Sequence, residues 1–181
     1  LMGSIPFAFI LTKFFLKKDI REIGSGNIGA TNARRTGKKF IGFTTLILDI
    51  VKAVVPVLYV KFYFSELIYL ASLCAFLGHV FPIWLNFKGG KGVATYIGIL
   101  FVINIYLGLI FVITWFVIFA ISKYSSLSSL VASLAIPVYL LILNQFNQVF
   151  FFTIIFVLIF FTHRDNIKRL KNKEETKTKI Y

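Results

Sequence analysis

Seven apolar runs, each separated from the next by a short polar stretch, take up most of this 181-residue chain. Hydrophobic residues make up 58% of it, so a water-soluble globule would have to expose far more apolar surface than water tolerates. The runs fall near residues 1–16, 40–60, 66–85, 93–103, 105–121, 127–143 and 149–162. They predict an all-α polytopic membrane protein with seven transmembrane helices. Several runs fall short of the about 20 residues that a perpendicular helix needs, which calls for local thinning of the bilayer or for short ends packed against protein. The first run opens at Leu1 and carries Lys13 near its end, so part of its helix is expected to lie upstream. No cleavable signal peptide is visible in it.

The formal charge of +13 sits in the polar interruptions. Lys and Arg gather in residues 17–39, at Lys88 and Lys91, at Lys123, and in the tail beyond His163. If all four segments share the cytoplasmic side, an even number of helices must separate each successive pair. Residues 92–121 are therefore divided near Asn104 rather than drawn as one tilted helix. The N-terminus then lies outside and the C-terminus inside. This distribution favours membrane topology over nucleic-acid binding. Residues 1–170 read as a single integral membrane domain and 171–181 as a mobile basic cytoplasmic tail. Cys74 is the sole cysteine, so an internal disulfide is excluded.

Two glycine-rich, cation-bearing loops interrupt the oily background. In the first, GSGNIGATNARRTGKK at residues 24–39, Gly24, Gly26 and Gly29 permit close backbone approach. Ser25, Asn27, Thr31 and Asn32 add polar side chains around Ala30, and Arg34 and Arg35 add charge. Two readings stand open: a phosphate nest, or a flexible membrane turn carrying topology determinants. The Walker spacing is absent, which removes support for ATP hydrolysis. The second loop, KGGKG at residues 88–92, sets Lys91 among Gly89, Gly90 and Gly92. An ammonium beside nearly bare backbone suits an anionic or carbonyl ligand.

The blocks GSIPFAF at Gly3, REIGSGNIGATNARRTGKK at Arg21, LDIVKA at Leu48, GHVFPIWLNFKGGKGVAT at Gly78, YSSLSSLVA at Tyr124 and HRDNIKRL at His163 run in order along nearly the whole chain. Together they resemble the bacterial acyl-phosphate-dependent glycerol-3-phosphate acyltransferases. The resemblance implies a seven-helix bacterial inner-membrane enzyme. It would transfer a fatty acyl group from acyl phosphate to the 1-hydroxyl of sn-glycerol 3-phosphate, giving lysophosphatidic acid and phosphate in the first acylation of phospholipid synthesis. No metal or other cofactor is implied, because a mixed anhydride already carries a good leaving group. The expected state is a monomer among membrane lipids, with contact to the enzyme that makes the acyl phosphate as a possible partnership. The H-x-x-x-x-D pair of the thioester-dependent glycerophosphate acyltransferases is missing after both His79 and His163.

Under that resemblance, the Ser25 to Asn32 loop, with Gly89, Gly90 and Gly92 around Lys91, holds the acyl-phosphate head and stabilises charge on the departing phosphate and the carbonyl oxygen. Ser25, Lys91, His163 and Asn166 are the expected catalytic residues. Arg35, Ser129 and His163 match positions that hold glycerol phosphate, with Lys38 or Lys39 as a further cation. Asn166, at i+3 from His163, would face the same way on a short helix. The proton from the acceptor hydroxyl can go to the substrate's own phosphate, whose second pKa is about 6, or to His163. Asp49 and Lys52, at i and i+3 in one span, read either as a pair that anchors a loop or as a substrate contact. His79 reads as a packing histidine, Trp84 as an interfacial anchor, Lys13 as a snorkelling cation, and Pro56, Pro82 and Pro137 as kinks. A transporter with a midplane anion site and a lipid-binding scaffold are the rivals from other functional classes.

Overall fold

The computed structural model describes residues 1–178, and among these every regular element is helical. The chain divides into two units, residues 1–103 and 104–181.

The first unit holds α1 (Phe7–Leu16), α2 (Ala30–Arg34), α3 (Lys39–Tyr63), α4 (Ile68–Val80) and α5 (Val93–Ile103), with single 3-10 turns before α1, α2 and α4 and after α4. The 25 residues of α3 reach about 37 Å, enough for a bilayer with some tilt. Its buried face, Ile41, Gly42, Thr45, Asp49, Lys52, Ala53 and Val57, follows helical spacing and admits two charged residues. Three glycines allow neighbouring backbones to close in on this framework. A side chain at Gly3 would strike the Ala75 backbone of α4, one at Gly42 would reach the Arg34 backbone of α2, and one at Gly98 of α5 would come within 2.8 Å of the Ile50 carbonyl. This is the small-residue packing that membrane helices use where water gives them no hydrophobic drive. At the far end of α3, Lys61 Nζ donates to the Val102 carbonyl and satisfies one of the open acceptors in the last turn of α5.

The second unit holds α6 (Ile105–Ser122), α7 (Ser125–Ile142), α8 (Phe146–Thr162) and α9 (Arg164–Lys171). As expected, the apolar stretch breaks at Asn104, whose side chain accepts from Tyr106 N at 2.8 Å and caps α6. Helix α7 packs against both α6 and α8 and buries Ser126, Ser129, Ala132, Ser133 and Ile136, a stripe of small residues with one branched one. The chain turns by 62° at His163 to enter α9. Pro56 and Pro137 lie inside α3 and α7.

Apolar helices occupy all seven predicted runs. Four of the described stretches are long and apolar enough to cross a membrane, Lys39–Tyr63, Ser65–Leu85, Ile105–Ser122 and Ser125–Ile142, and the bent α8–α9 pair makes a fifth. Helices α1 and α5, at 10 and 11 residues, are shorter and reach only about 15 Å. Large apolar side chains such as Phe14, Phe62, Ile121 and Phe150 are more than two-thirds exposed, the pattern of a lipid-facing surface.

Candidate active site

The first glycine loop is an ordered fold rather than a floppy turn. Asp19 opens it, accepting from Arg21 N at 2.9 Å and from the Arg21 guanidinium at 2.6 Å. These bonds hold its carboxyl at about 2. Ile20 and Ile28 are buried with Ala8, Ala33, Ile41 and Leu85 in a small core beneath the loop. Gly24 (φ 55) and Gly26 (φ 69) take left-handed backbone that suits glycine, and a side chain at Gly24 would run into Asn32 Oδ1. Gly29, in extended conformation, leads into α2.

Asn32 braces this loop from inside. It is 1% exposed; Oδ1 accepts from Ser25 N at 2.9 Å, while Nδ2 donates to the Ile23 carbonyl at 2.8 Å and the Ile20 carbonyl at 3.2 Å. Both of its amide donors are therefore engaged within the protein, as is the Ser25 N–H. The Ser25 and Thr31 side chains are exposed, and Gly26, Asn27, Gly29 and Ala30 are half-buried. Arg35, Lys38 and Lys39 follow on the exposed stretch from α2 into α3.

The second loop is built back onto the end of α4. Gly89 N donates to the Val80 carbonyl and Gly90 N to the His79 carbonyl, each at 3.1 Å. Asn86, Phe87 and Gly92 have positive φ, and Gly92 lies so close to the Phe76 ring that a Cβ would collide with it. The Gly92 carbonyl accepts from Tyr96 N and Thr95 Oγ1, both at 2.8 Å, and so opens α5. Lys91 is half-buried between buried Gly90 and Gly92. The two loops touch: a Cβ on Gly90 would be 2.8 Å from the Ile28 carbonyl. Residues some sixty positions apart thus form one glycine-lined surface in the first unit.

The other expected site residues lie in the second unit. Ser129 is 4% exposed; its hydroxyl lies 3.1 Å from Trp115 Nε1, which donates to it, and itself donates to the Ser125 carbonyl at 2.9 Å. His163, 3% exposed, sits where α8 gives way to α9, with Nδ1 2.8 Å from the Ile159 carbonyl. A carbonyl only accepts, so in the neutral ring Nδ1 carries the hydrogen and Nε2 the lone pair. Asn166 Nδ2 donates to Glu175 Oε1 at 2.6 Å. The same oxygen accepts from Ser126 Oγ at 2.7 Å, and Oε2 accepts from Arg169 Nε at 2.7 Å. Burial opposes ionisation of Glu175, but the Arg169, Asn166 and Ser126 bonds outweigh it and hold the carboxyl below its ordinary range.

Sequence reasoning missed Glu175, which lies within the stretch expected to be a mobile tail. Thr178 N also donates to the Lys123 carbonyl at 2.9 Å, and the remainder of the tail, residues 179–181, lies outside the described residues. Nothing in local periodicity marks a carboxylate nine residues beyond Asn166 as its partner.

Comparison with known proteins gives the family and the fold. A family model described as glycerol-3-phosphate acyltransferase matches residues 1–173. A glycerol-3-phosphate acyltransferase of Pelagibacter ubique (strain HTCC1062) is 73% identical over 181 residues, covering 100% of this chain and 94% of the relative. One from Anaplasma marginale (strain Florida) is 44% identical, covering 98% and 90%. Crystal structures of PlsY (YgiH), an integral membrane glycerol 3-phosphate acyltransferase, superpose with a TM-score of 0.93 in the glycerol 3-phosphate form and 0.89 in the lysophosphatidic acid form. Both share 35% identity and cover 99% of this chain and 91% of theirs. The fold and the family match define an integral membrane acyltransferase. The chain belongs to the glycerol-3-phosphate acyltransferase family.

Proposed function

We propose that this protein transfers a fatty acyl group from acyl phosphate to the 1-hydroxyl of sn-glycerol 3-phosphate, releasing lysophosphatidic acid and inorganic phosphate. The observation that carries the proposal is the contact between the two glycine loops, Gly90 against the Ile28 carbonyl, which sets Lys91 beside the 24–32 loop. An acyl-phosphate head needs cationic charge and close-approaching backbone on its leaving phosphate, and this surface offers both. The acceptor oxygen forms a bond to the acyl carbonyl carbon, the carbon–oxygen bond to phosphate breaks, and phosphate leaves with the electron pair. Lys91, with Ser25 and the loop backbone, stabilises the charge that grows on the carbonyl oxygen and on that phosphate. Gly26, Asn27, Gly29, Ala30, Thr31, Gly89, Gly90 and Gly92 shape the phosphate surface, with Asn32 as its internal brace.

By the resemblance, Arg35, one of Lys38 and Lys39, Ser129 and His163 are each assigned to glycerol 3-phosphate, and Asn166 to orienting that acceptor or polarising the acyl carbonyl. The crystal structures of a relative in its glycerol 3-phosphate and lysophosphatidic acid forms support the choice of acceptor and product. The proton of the acceptor hydroxyl passes to the substrate's own phosphate. A second reading takes His163 as the base, favoured by the Nδ1 contact to Ile159 that leaves the lone pair on Nε2. His163→Gln distinguishes them: retained turnover supports the phosphate, while lost turnover with unchanged acceptor binding supports His163.

Seven crossings, with the N-terminus outside and the C-terminus cytoplasmic, complete the proposal on the strength of the charge distribution. So does residence in a bacterial inner membrane, for which the bacterial relatives speak. Purified protein incubated with palmitoyl phosphate and radiolabelled glycerol 3-phosphate tests the reading: lysophosphatidic acid should form. Lys91→Ala should lose about 10²-fold or more in kcat/KM, as removal of one oxyanion donor does. Unaffected turnover in that variant removes Lys91 from the mechanism.

A further inference from the structure

Asp49, Lys52 and His79 are buried within the first unit, at 2%, 4% and 6% exposure, and the acyl transfer derived above uses none of them. Charged groups inside a membrane helix are costly, and they persist where they face protein and carry a function. Lys52 Nζ lies 2.8 Å from Asp49 Oδ1, an ion pair without hydrogen-bond alignment, and donates to the Ile5 carbonyl at 2.7 Å. The pair therefore ties α3 to the segment that leads into α1. On its other side the same Asp49 oxygen faces His79 Nδ1 at 3.8 Å, and Nδ1 has no hydrogen-bond partner among the described residues. These groups surround a cavity of about 10 Å³, close to the size of a single water, which Ile28, Gly89 and Gly90 also line.

The far edge of the imidazole meets the glycine loops. A Cβ on Gly90 would collide with His79 Nε2, and the His79 carbonyl accepts from Gly90 N. His79 thus stands between an intramembrane carboxylate and the point where Gly90 touches the Ile28 carbonyl. An apolar replacement of similar volume could fill the space. It would supply no directional constraint on the ring.

We infer that Asp49, paired with Lys52, is a positioning residue for the acyl donor: across the water-sized cavity they share, a bridging water lets it orient the His79 ring, and the ring sets the seat of Gly89 and Gly90 against the 24–32 loop and hence the placement of Lys91. The inference rests on the proposal that Lys91 and that loop hold the acyl-phosphate head. A misplacement of about 1 Å at a reacting group lowers rate by about 10²-fold, which sets the expected size of the effect.

The test uses the full chain reconstituted in lipid, with palmitoyl phosphate and glycerol 3-phosphate varied separately. Asp49→Asn should raise KM for palmitoyl phosphate and lower its kcat/KM by about 10²-fold, while KM for glycerol 3-phosphate stays within roughly twofold. Asp49→Asn leaves a buried ammonium unpaired, so the neutral double variant Asp49→Asn with Lys52→Met, and His79→Gln with the pair intact, provide folded alternatives. Both should show the same loss confined to the donor. Donor kinetics within roughly threefold of the parent in these two variants overturn the inference. So does a fall in kcat with both KM values unchanged and a lowered unfolding temperature, the signature of a merely structural cluster. Lys91→Ala in parallel separates the two levels: if it retains donor kinetics, the site reading itself fails, whereas its loss beside intact cluster variants rejects only the role of Asp49.

Discussion

Replacing Glu175 by alanine should loosen the second unit well beyond the effect of an ordinary surface substitution. Its carboxylate receives Ser126 Oγ, Asn166 Nδ2 and Arg169 Nε at 2.6–2.7 Å. Ser126 and Asn166 are only 7% and 6% exposed, so water cannot readily replace the lost acceptor. Two buried donors left unsatisfied cost about 2–6 kcal/mol together. The Arg169 side chain is 37% exposed and rehydrates, adding at most about 1 kcal/mol. For a chain of this length that is a fall of roughly 5–20 °C in melting temperature, measurable by tryptophan fluorescence in detergent, with Trp115 reporting on the second unit. Glu175→Gln keeps one oxygen for Ser126 and Asn166 but turns an amide donor toward Arg169, and it should cost only about 1 kcal/mol. The pH dependence has a definite sign. The folded carboxyl is held below its ordinary range, so its contribution is fully present above the unfolded carboxyl value and fades as pH falls through the folded one. The gap between parent and Glu175→Gln should narrow below about pH 4 and stay flat from about 6 to 8. A Glu175→Ala protein melting within about 2 °C of the parent would refute the reasoning.

Asn32→Asp preserves the acceptor for Ser25 N but turns a carboxylate onto the Ile20 and Ile23 carbonyls, so it should be no better than Asn32→Ala, and both should lose at least about tenfold in kcat/KM through collapse of the loop. Parity of either with the parent in the acyl-transfer assay removes the bracing role. Gly90→Ala drives a methyl group into the His79 ring and should destabilise by about 1–3 kcal/mol. Adding His79→Ala to Gly90→Ala should recover part of that loss in a double-mutant cycle, and strict additivity would show that the two residues do not press on each other.

The apolar runs marked every α-helix among the described residues except the short polar α2 and α9, because a helix in lipid satisfies its own backbone and needs only an apolar stretch with polar ends. The Asn104 break was legible from the parity of the basic segments, and the structure closes it with a local cap. Both glycine loops could be read as candidate phosphate-binding surfaces, because glycine and cation chemistry are local. Charge parity and the resemblance already set them at one site, but the particular contact between them was not legible. It depends on α4 returning the second loop to the starting end of α3, where Gly90 meets Ile28. Asn32 looked like a donor for substrate, yet both its amide donors point back to Ile20 and Ile23. Asp49 and Lys52 were recognisable as a pair, but not as partners of Ile5 and His79.

From the residue order alone came the membrane class, the apolar segments, the polar interruptions and the chemistry available in each. Tertiary docking alone decided which polar atoms are consumed within the fold and which face a substrate. The reason is distance along the chain: Lys52 finds Ile5 across 47 positions and Ser126 finds Glu175 across 49. No local pattern encodes such a partnership, whereas burial makes each unmet donor or acceptor expensive enough that packing must supply one.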